Sequence, residues 1–227
     1  MSDSRMRIRK MNSINYQKEL DKITEGLTYR PRLLLHSCCA PCSSYCLVYL
    51  LHYFDITCFY FNPNITDRDE YEKRAAELKR LVDTLNEEYA EALSGFDPIR
   101  VVINDHDPGV FVDAVKEQGL EGCPEGGERC AMCFRMRLEK THEMAAAGGF
   151  DYFTTTLTIS PLKNADMINR IGYDTADTVM WLPSDFKKKD GYKKSIELSA
   201  KYDLYRQNYC GCIYSKPSDF VLQQKDV

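Results

Sequence analysis

The sequence has no apolar run approaching the roughly 20 residues that cross a bilayer. Its first thirty residues, with Arg5, Arg7, Arg9 and Lys10, lack the apolar stretch of a secretory leader. A cytoplasmic protein without membrane contact is therefore expected. Nor does one charge dominate: 30 Lys and Arg against 34 Asp and Glu leave a net charge of −4, so any polyanion must meet a local basic patch. No repeat or low-complexity segment occurs. The loop after the first predicted strand reads Ser-Cys-Cys-Ala-Pro-Cys rather than a Gly-rich phosphate cradle, which argues against an ATP-using enzyme, and no nicotinamide or flavin fingerprint appears.

Cysteine, by contrast, is plentiful, with ten in 227 residues. In a reducing compartment such thiols point to metal or redox chemistry rather than to a disulfide framework. With 44% hydrophobic residues the chain can bury one sizeable core. The composition suggests an arm over 1–30 that is loose or ends in a short helix at Tyr16 to Ile23. A single domain over 31–216 follows, and then a tail over 217–227.

Leu33 to His36 reads as a buried strand, Ser43 to Tyr53 as a helix, Ile56 to Phe61 as a second strand and Asp67 to Tyr89 as a long amphipathic helix. Further along come a strand at Ile99 to Ile103, helices at Val110 to Gln118 and Cys130 to Ala147, and a Thr-rich strand at Tyr152 to Ile159. From Asn164 to Tyr205 the pattern looks helical. Alternating strands and helices predict an α/β fold, a mostly parallel Rossmann-like sheet with helices on both faces and a helical C-terminal part. Function is then expected at the carboxyl ends of the strands.

Two cysteine pairs fall at such places. Cys38 and Cys39 follow the first strand, and Cys130 and Cys133 form a Cys-x-x-Cys pair at a helix start, where the helix dipole favours thiolates. Four thiolates suit a structural zinc or a [4Fe–4S] cluster; a vicinal pair in an active-site loop favours the cluster. Cys39, Cys42 and Cys46 are also spaced to hold one by themselves. Cys58 reads as a core residue, Cys46 reads better as one, and Cys123 is left open between a substitute ligand and no role. Cys210-Gly211-Cys212 can close only a small, readily reduced disulfide ring that would store two electrons; the alternatives are two free thiols or a second metal.

The motifs His36-Ser37-Cys38-Cys39-Ala40-Pro41, Phe61-Asn62-Pro63-Asn64-Ile65, Gly127 to Leu138 (Gly-Glu-Arg-Cys-Ala-Met-Cys-Phe-Arg-Met-Arg-Leu), Phe153 to Leu157 with Ser160-Pro161-x-Lys163-Asn164, and Leu204 to Cys212 go further. Over roughly residues 32 to 216 the chain resembles the metal-dependent epoxyqueuosine reductases of the QueH type. The resemblance implies a [4Fe–4S] cluster on Cys38, Cys39, Cys130 and Cys133, and a redox-active disulfide of Cys210 and Cys212. It also implies reduction of epoxyqueuosine to queuosine in tRNA, with an external electron donor. Relatives can carry Asp where this chain has Cys42, so Cys42 is the candidate ligand of an additional iron ion. Lys163, Arg206 and the lysines from Lys187 to Lys194 are candidates for contacts to tRNA. His36, Asp105 and His106 could move protons but are not assigned to the catalytic set. A zinc-stabilised tRNA-binding protein without redox catalysis is the competing reading.

Overall fold

The structure, a computed structural model, describes residues 14–215. The expected tail over 217–227 and the first part of the arm lie outside them. The chain runs α1 (Tyr16–Glu25), β1 (Arg32–His36), α2 (Ala40–Leu50), β2 (Asp55–Tyr60), α3 (Arg68–Glu88) and β3 (Arg100–Ile103). It continues through α4 (Gly109–Glu117), α5 (Glu128–Gly148), β4 (Tyr152–Thr155), α6 (Ala165–Thr175), β5 (Met180–Trp181) and α7 (Gly191–Lys201). The five strands form one sheet in the order β3-β2-β1-β4-β5, and every pairing is parallel. The expected α/β class is therefore the observed one.

Burial explains the central strands. Leu33, Leu34 and Leu35 are all buried, as a strand covered on both faces requires. Leu33 and Leu35 join one core cluster with Leu47, Leu78 and Leu81 from α2 and α3, while Leu34 joins the other with Phe134, Leu138 and Ile168 from α5 and α6. The order of strands reverses between β1 and β4, so the crevice of this sheet opens beyond their carboxyl ends.

Three expectations are revised. The first long helix after β1 starts at Ala40 rather than Ser43, because Pro41 fits the first turn, where its missing N–H costs nothing. The predicted strand over Tyr152 to Ile159 stops at Thr155, whose hydroxyl accepts a hydrogen bond from the Leu157 N–H at 3.1 Å and turns the chain into a 3₁₀ turn over Thr156–Ile159. Between Asn164 and Tyr205 the chain is not all helical. Met180 and Trp181 pair with Tyr152 and Phe153 to make β5, a tertiary pairing that local propensity does not signal. The short helix expected at Tyr16 to Ile23 is α1, and it is packed: Leu20 is fully buried, and Tyr16 donates a hydrogen bond to Asp166 on α6 at 2.8 Å. Among the described residues no helix is long and apolar enough to cross a membrane.

Candidate active site

The start of α2 at Ala40 puts Cys38 just before the helix, Cys39 at its N-cap and Cys42 in its first turn. Their three sulfur atoms lie within 4.8 Å of one another, with Cys38 and Cys39 at 3.8 Å. Among the described residues this is the one group of three or more Cys, His, Asp or Glu side chains that converge so closely. Hydrogen bonds from the Cys39 and Cys42 thiols pull the Cys38 pKa well below its ordinary value. Cys39 is pushed up to about 12, first by its hydrogen bond to Cys38, and Cys42 is pushed well up, first by its hydrogen bonds to Cys38 and Cys39. One thiolate therefore forms readily, and a cation is needed to draw off the other two protons.

This group is tied to the far side of the crevice. The Cys38 N–H donates to Thr156 Oγ1 at 3.3 Å, and that hydroxyl donates to Cys38 Sγ at 3.5 Å. The thiols thus sit at the β1/β4 switch point. His36, beneath them, is fully buried. Its Nε2–H donates to the Phe61 carbonyl at 3.1 Å and its Nδ1 accepts from Thr155 Oγ1 at 2.7 Å. Burial pushes its pKa down to about 3, so it stays neutral and structural.

Cys130 lies in the first turn of α5 and Cys133 in the second, behind Gly126, whose N–H donates to Cys130 Sγ at 3.2 Å. With Cys210 and Cys212 they line a small cavity of about 40 Å³. Burial pushes Cys133 up to about 12 and Cys212 up to about 11. A larger cavity of about 230 Å³ is lined by Cys38, Cys42, Arg137, Lys163, Arg206 and Cys210 among others. Leu162, Lys163 and Cys210 line both spaces, so the two thiol sets face a shared partition. The structure brings Cys38 and Cys39 together with Cys42, and Cys130 and Cys133 together with the Cys210–Cys212 loop.

That loop is held in place by main-chain contacts. Asn64 Nδ2 donates to the Cys210 carbonyl at 3.3 Å, and Arg74 Nη1 donates to the same oxygen at 3.1 Å. Gly211 has φ +99°, and a Cβ there would meet Ile65 Cγ1 at 2.7 Å, so the position requires glycine twice over. All ten cysteines are free thiols here. Cys46 donates to the Cys42 carbonyl at 3.3 Å and packs in the core with Cys58; Cys123 is half-buried near Phe111.

The residue that sequence reasoning missed is Arg137. It is 2% exposed, donates from Nη2 to Asn64 Oδ1, and leaves Nε and Nη1 without a hydrogen-bond partner. Burial opposes its charge, yet the thiols of Cys133, Cys210, Cys38 and Cys212 outweigh that and raise its pKa. Lys163 behaves alike: burial lowers it, but Cys210, Cys38 and Cys42 hold its ammonium up to about 12. Neither makes a carboxylate ion pair among the described residues. An isolated buried cation such as Arg137 costs several kcal/mol, and Lys163 is half-buried near the same thiols, so this set of cations is suited to an anionic centre such as metal-bound thiolates. A sequence signal existed, because Arg129, Cys133 and Arg137 are spaced by four and share the buried face of α5.

Arg206, expected at the substrate, is exposed at the cavity wall and donates to Ser199 Oγ at 3.1 Å. The lysine run is largely neutralised: Lys187 pairs with Asp185 and Lys189 with Asp21. His106 lies 2.8 Å from the Ile65 carbonyl.

The family model described as "Epoxyqueuosine reductase QueH" matches residues 33–218. A protein of that name from Streptococcus pyogenes serotype M1 is 43% identical over 222 residues, covering 96% of this chain and 84% of the relative. Its namesake in Staphylococcus epidermidis is 42% identical, with 91% and 86% covered, and that of Haemophilus influenzae 35%, with 93% and 81% covered. With such matches spanning nearly all of the chain and the thiol-lined crevice alike, this protein belongs to the epoxyqueuosine reductase QueH family.

Proposed function

We propose that this chain reduces epoxyqueuosine to queuosine at the wobble position of tRNA, the last step of queuosine biosynthesis. The observation that carries the reading is the pair of thiol sets on two adjoining cavities that share Lys163 and Cys210 in their walls, with two cations without carboxylate partners beside them, the buried Arg137 and the half-buried Lys163. In this reading Cys38, Cys39, Cys130 and Cys133 hold a [4Fe–4S] cluster, and Cys42 is available to an additional iron. Such a centre supplies electrons one at a time, and an iron ion adds Lewis acidity toward an oxygen.

Removing an epoxide oxygen to leave an alkene consumes two electrons and two protons and releases one water. Closing a disulfide between Cys210 and Cys212 yields two electrons and two protons, which balances that demand. An external reductant then restores the thiols. Lys163 and Arg137 keep their charge throughout, so each donates hydrogen bonds toward the cavity and offsets negative charge on the sulfurs. Walls that leave only about 230 Å³ admit the modified group while limiting water around it.

The test is an anaerobic assay on epoxyqueuosine tRNA with Cys39→Ser and Cys212→Ser, read together with iron and sulfide content. Cys39→Ser is expected to lose the cluster. Cys212→Ser is expected to retain it, with altered turnover. Full activity in either variant removes that assignment, and one equivalent of zinc without sulfide in the wild type points instead to a zinc-stabilised tRNA-binding protein.

A further inference from the structure

The mouth of the larger cavity carries two exposed apolar side chains amid polar and charged neighbours. Leu162 is 81% exposed at the tip of a tight turn closed by the Lys163 N–H to the Ser160 carbonyl at 3.2 Å. Tyr192 is 37% exposed in the first turn of α7. Pro161 stiffens the first wall, and Gly191, whose Cβ would strike the Phe186 carbonyl at 1.8 Å, lets the second sit close against the body of the protein. Both side chains thus stand on fixed supports, Leu162 almost wholly in water and Tyr192 in part. The fold leaves the surface of Leu162 and the outer part of Tyr192 uncovered, and large exposed apolar groups at the rim of a cavity mark binding sites.

The cavity is too small for more than the modified part of one nucleotide. A base drawn into it leaves its neighbours in the strand without a stacking partner on one side, and those faces remain outside, at the rim. Arg206 and Lys163 line the cavity, and Lys188, exposed and four residues before Tyr192 in the chain, carries no carboxylate partner among the described residues, whereas Lys187 and Lys189 are neutralised. A charged surface alone fits any polyanion, but exposed apolar faces interleaved with cations fit splayed single-stranded RNA.

We propose that Leu162 and Tyr192 are the stacking groups that receive the nucleotides flanking the modified base of a tRNA anticodon loop. This rests on the functional reading above and adds where the RNA sits. Base stacking on the Tyr192 ring contributes about tenfold or more in affinity, and apolar packing of a base face on Leu162 contributes less, so each rim residue is a separate, measurable part of the affinity.

The experiment titrates the metal-loaded full chain with an anticodon stem-loop carrying epoxyqueuosine, at several salt concentrations, for wild type, Tyr192→Ala, Leu162→Ala and Lys188→Gln. Leu162 is exposed enough that its truncation opens no cavity, and Tyr192→Phe, which keeps the covered part of the ring, is run beside Tyr192→Ala; melting curves report any loss of packing. Tyr192→Ala is expected to weaken Kd about tenfold with an unchanged salt slope, and Leu162→Ala to weaken it less. Lys188→Gln should instead reduce the salt slope by about one. In turnover, the loss in Tyr192→Ala should fall on KM for the stem-loop rather than on kcat.

Wild-type Kd values in Tyr192→Ala and Leu162→Ala overturn the proposal while leaving the functional reading intact. So does a variant that binds RNA normally but loses turnover only with a protein reductant and not with dithionite, since the rim would then be the reductant's docking site. A wild-type enzyme that neither binds nor reduces the stem-loop removes the functional reading, and this proposal with it.

Discussion

At the scale of single residues, ten cysteines with one chemistry are separated by their surroundings. Cys38 is drawn below its ordinary pKa by hydrogen bonds from its neighbours, whereas Cys58, in the middle of β2 and fully buried, is pushed up to about 12 by burial. The second shift has a consequence for stability. A group whose folded pKa is raised contributes fully below its unfolded value, near 9, and that contribution is lost as pH rises toward 12. Cys58 alone therefore costs the fold on the order of 3–4 kcal/mol across that window. Cys58→Val, a similar volume without the ionisable group, should differ from wild type by less than about 1.5 kcal/mol at pH 7 and become the more stable of the two by pH 11. Urea midpoints measured from pH 7 to 11 check this; parallel curves for the two proteins would sink it.

The spacing that places Arg137 on the buried face of α5 does not by itself reveal its role, for a physical reason. An arginine four residues after a cysteine on a helix is common, and only the packed structure reveals that it has lost water without gaining a carboxylate. The Cys38, Cys39 and Cys42 group, by contrast, was readable in outline, because two vicinal thiols and a third in the next turn are neighbours however the rest of the chain folds. What spacing could not supply was the partnership of Cys130 and Cys133 with the Cys210–Cys212 loop, which depends on main-chain contacts from Asn64 and Arg74, more than a hundred residues away.

At the scale of elements, β5 shows where local pattern fails. Two residues make no period, and Met180 and Trp181 become a strand only because β4 offers an open edge. Once there, Trp181 is clamped by α6: its indole N–H donates to Asn169 Oδ1 at 3.1 Å, while Asn169 Nδ2 donates to the Ala165 and Ser184 carbonyls at 2.7 and 2.8 Å. Gly172, one turn on from Asn169, is what lets the helix approach so closely, since a Cβ there would lie 2.3 Å from the indole ring. In an exposed helix interior Gly→Ala stabilises by about 1 kcal/mol. Here the clash should dominate, and Gly172→Ala should destabilise by about 1–3 kcal/mol. Thermal melting of the variant decides between the two; a raised Tm would mean that α6 slides away from β5 at little cost.

For the whole molecule, the parallel sheet and its switch point bring residues from four separated segments to one crevice, and the burden of that arrangement falls on the protein without metal. Arg137 is buried and Lys163 half-buried beside thiols of which Cys39, Cys42, Cys133 and Cys212 resist ionisation, so the cations lack full counter-charge until a metal draws those protons off. Metal binding should therefore stabilise the fold as well as equip the site. At a hundredfold excess of metal over its Kd the gain is about 2.7 kcal/mol, which for a chain of this size corresponds to a rise in Tm of roughly 5–10 °C. Calorimetry on anaerobically reconstituted and chelated protein measures it directly. Arg137→Gln should shrink the difference from both sides, by relieving the metal-free form of an uncompensated charge and by weakening the metal-bound one. An Arg137→Gln protein with the full wild-type difference would show that the buried guanidinium answers to some other charge than the thiolates.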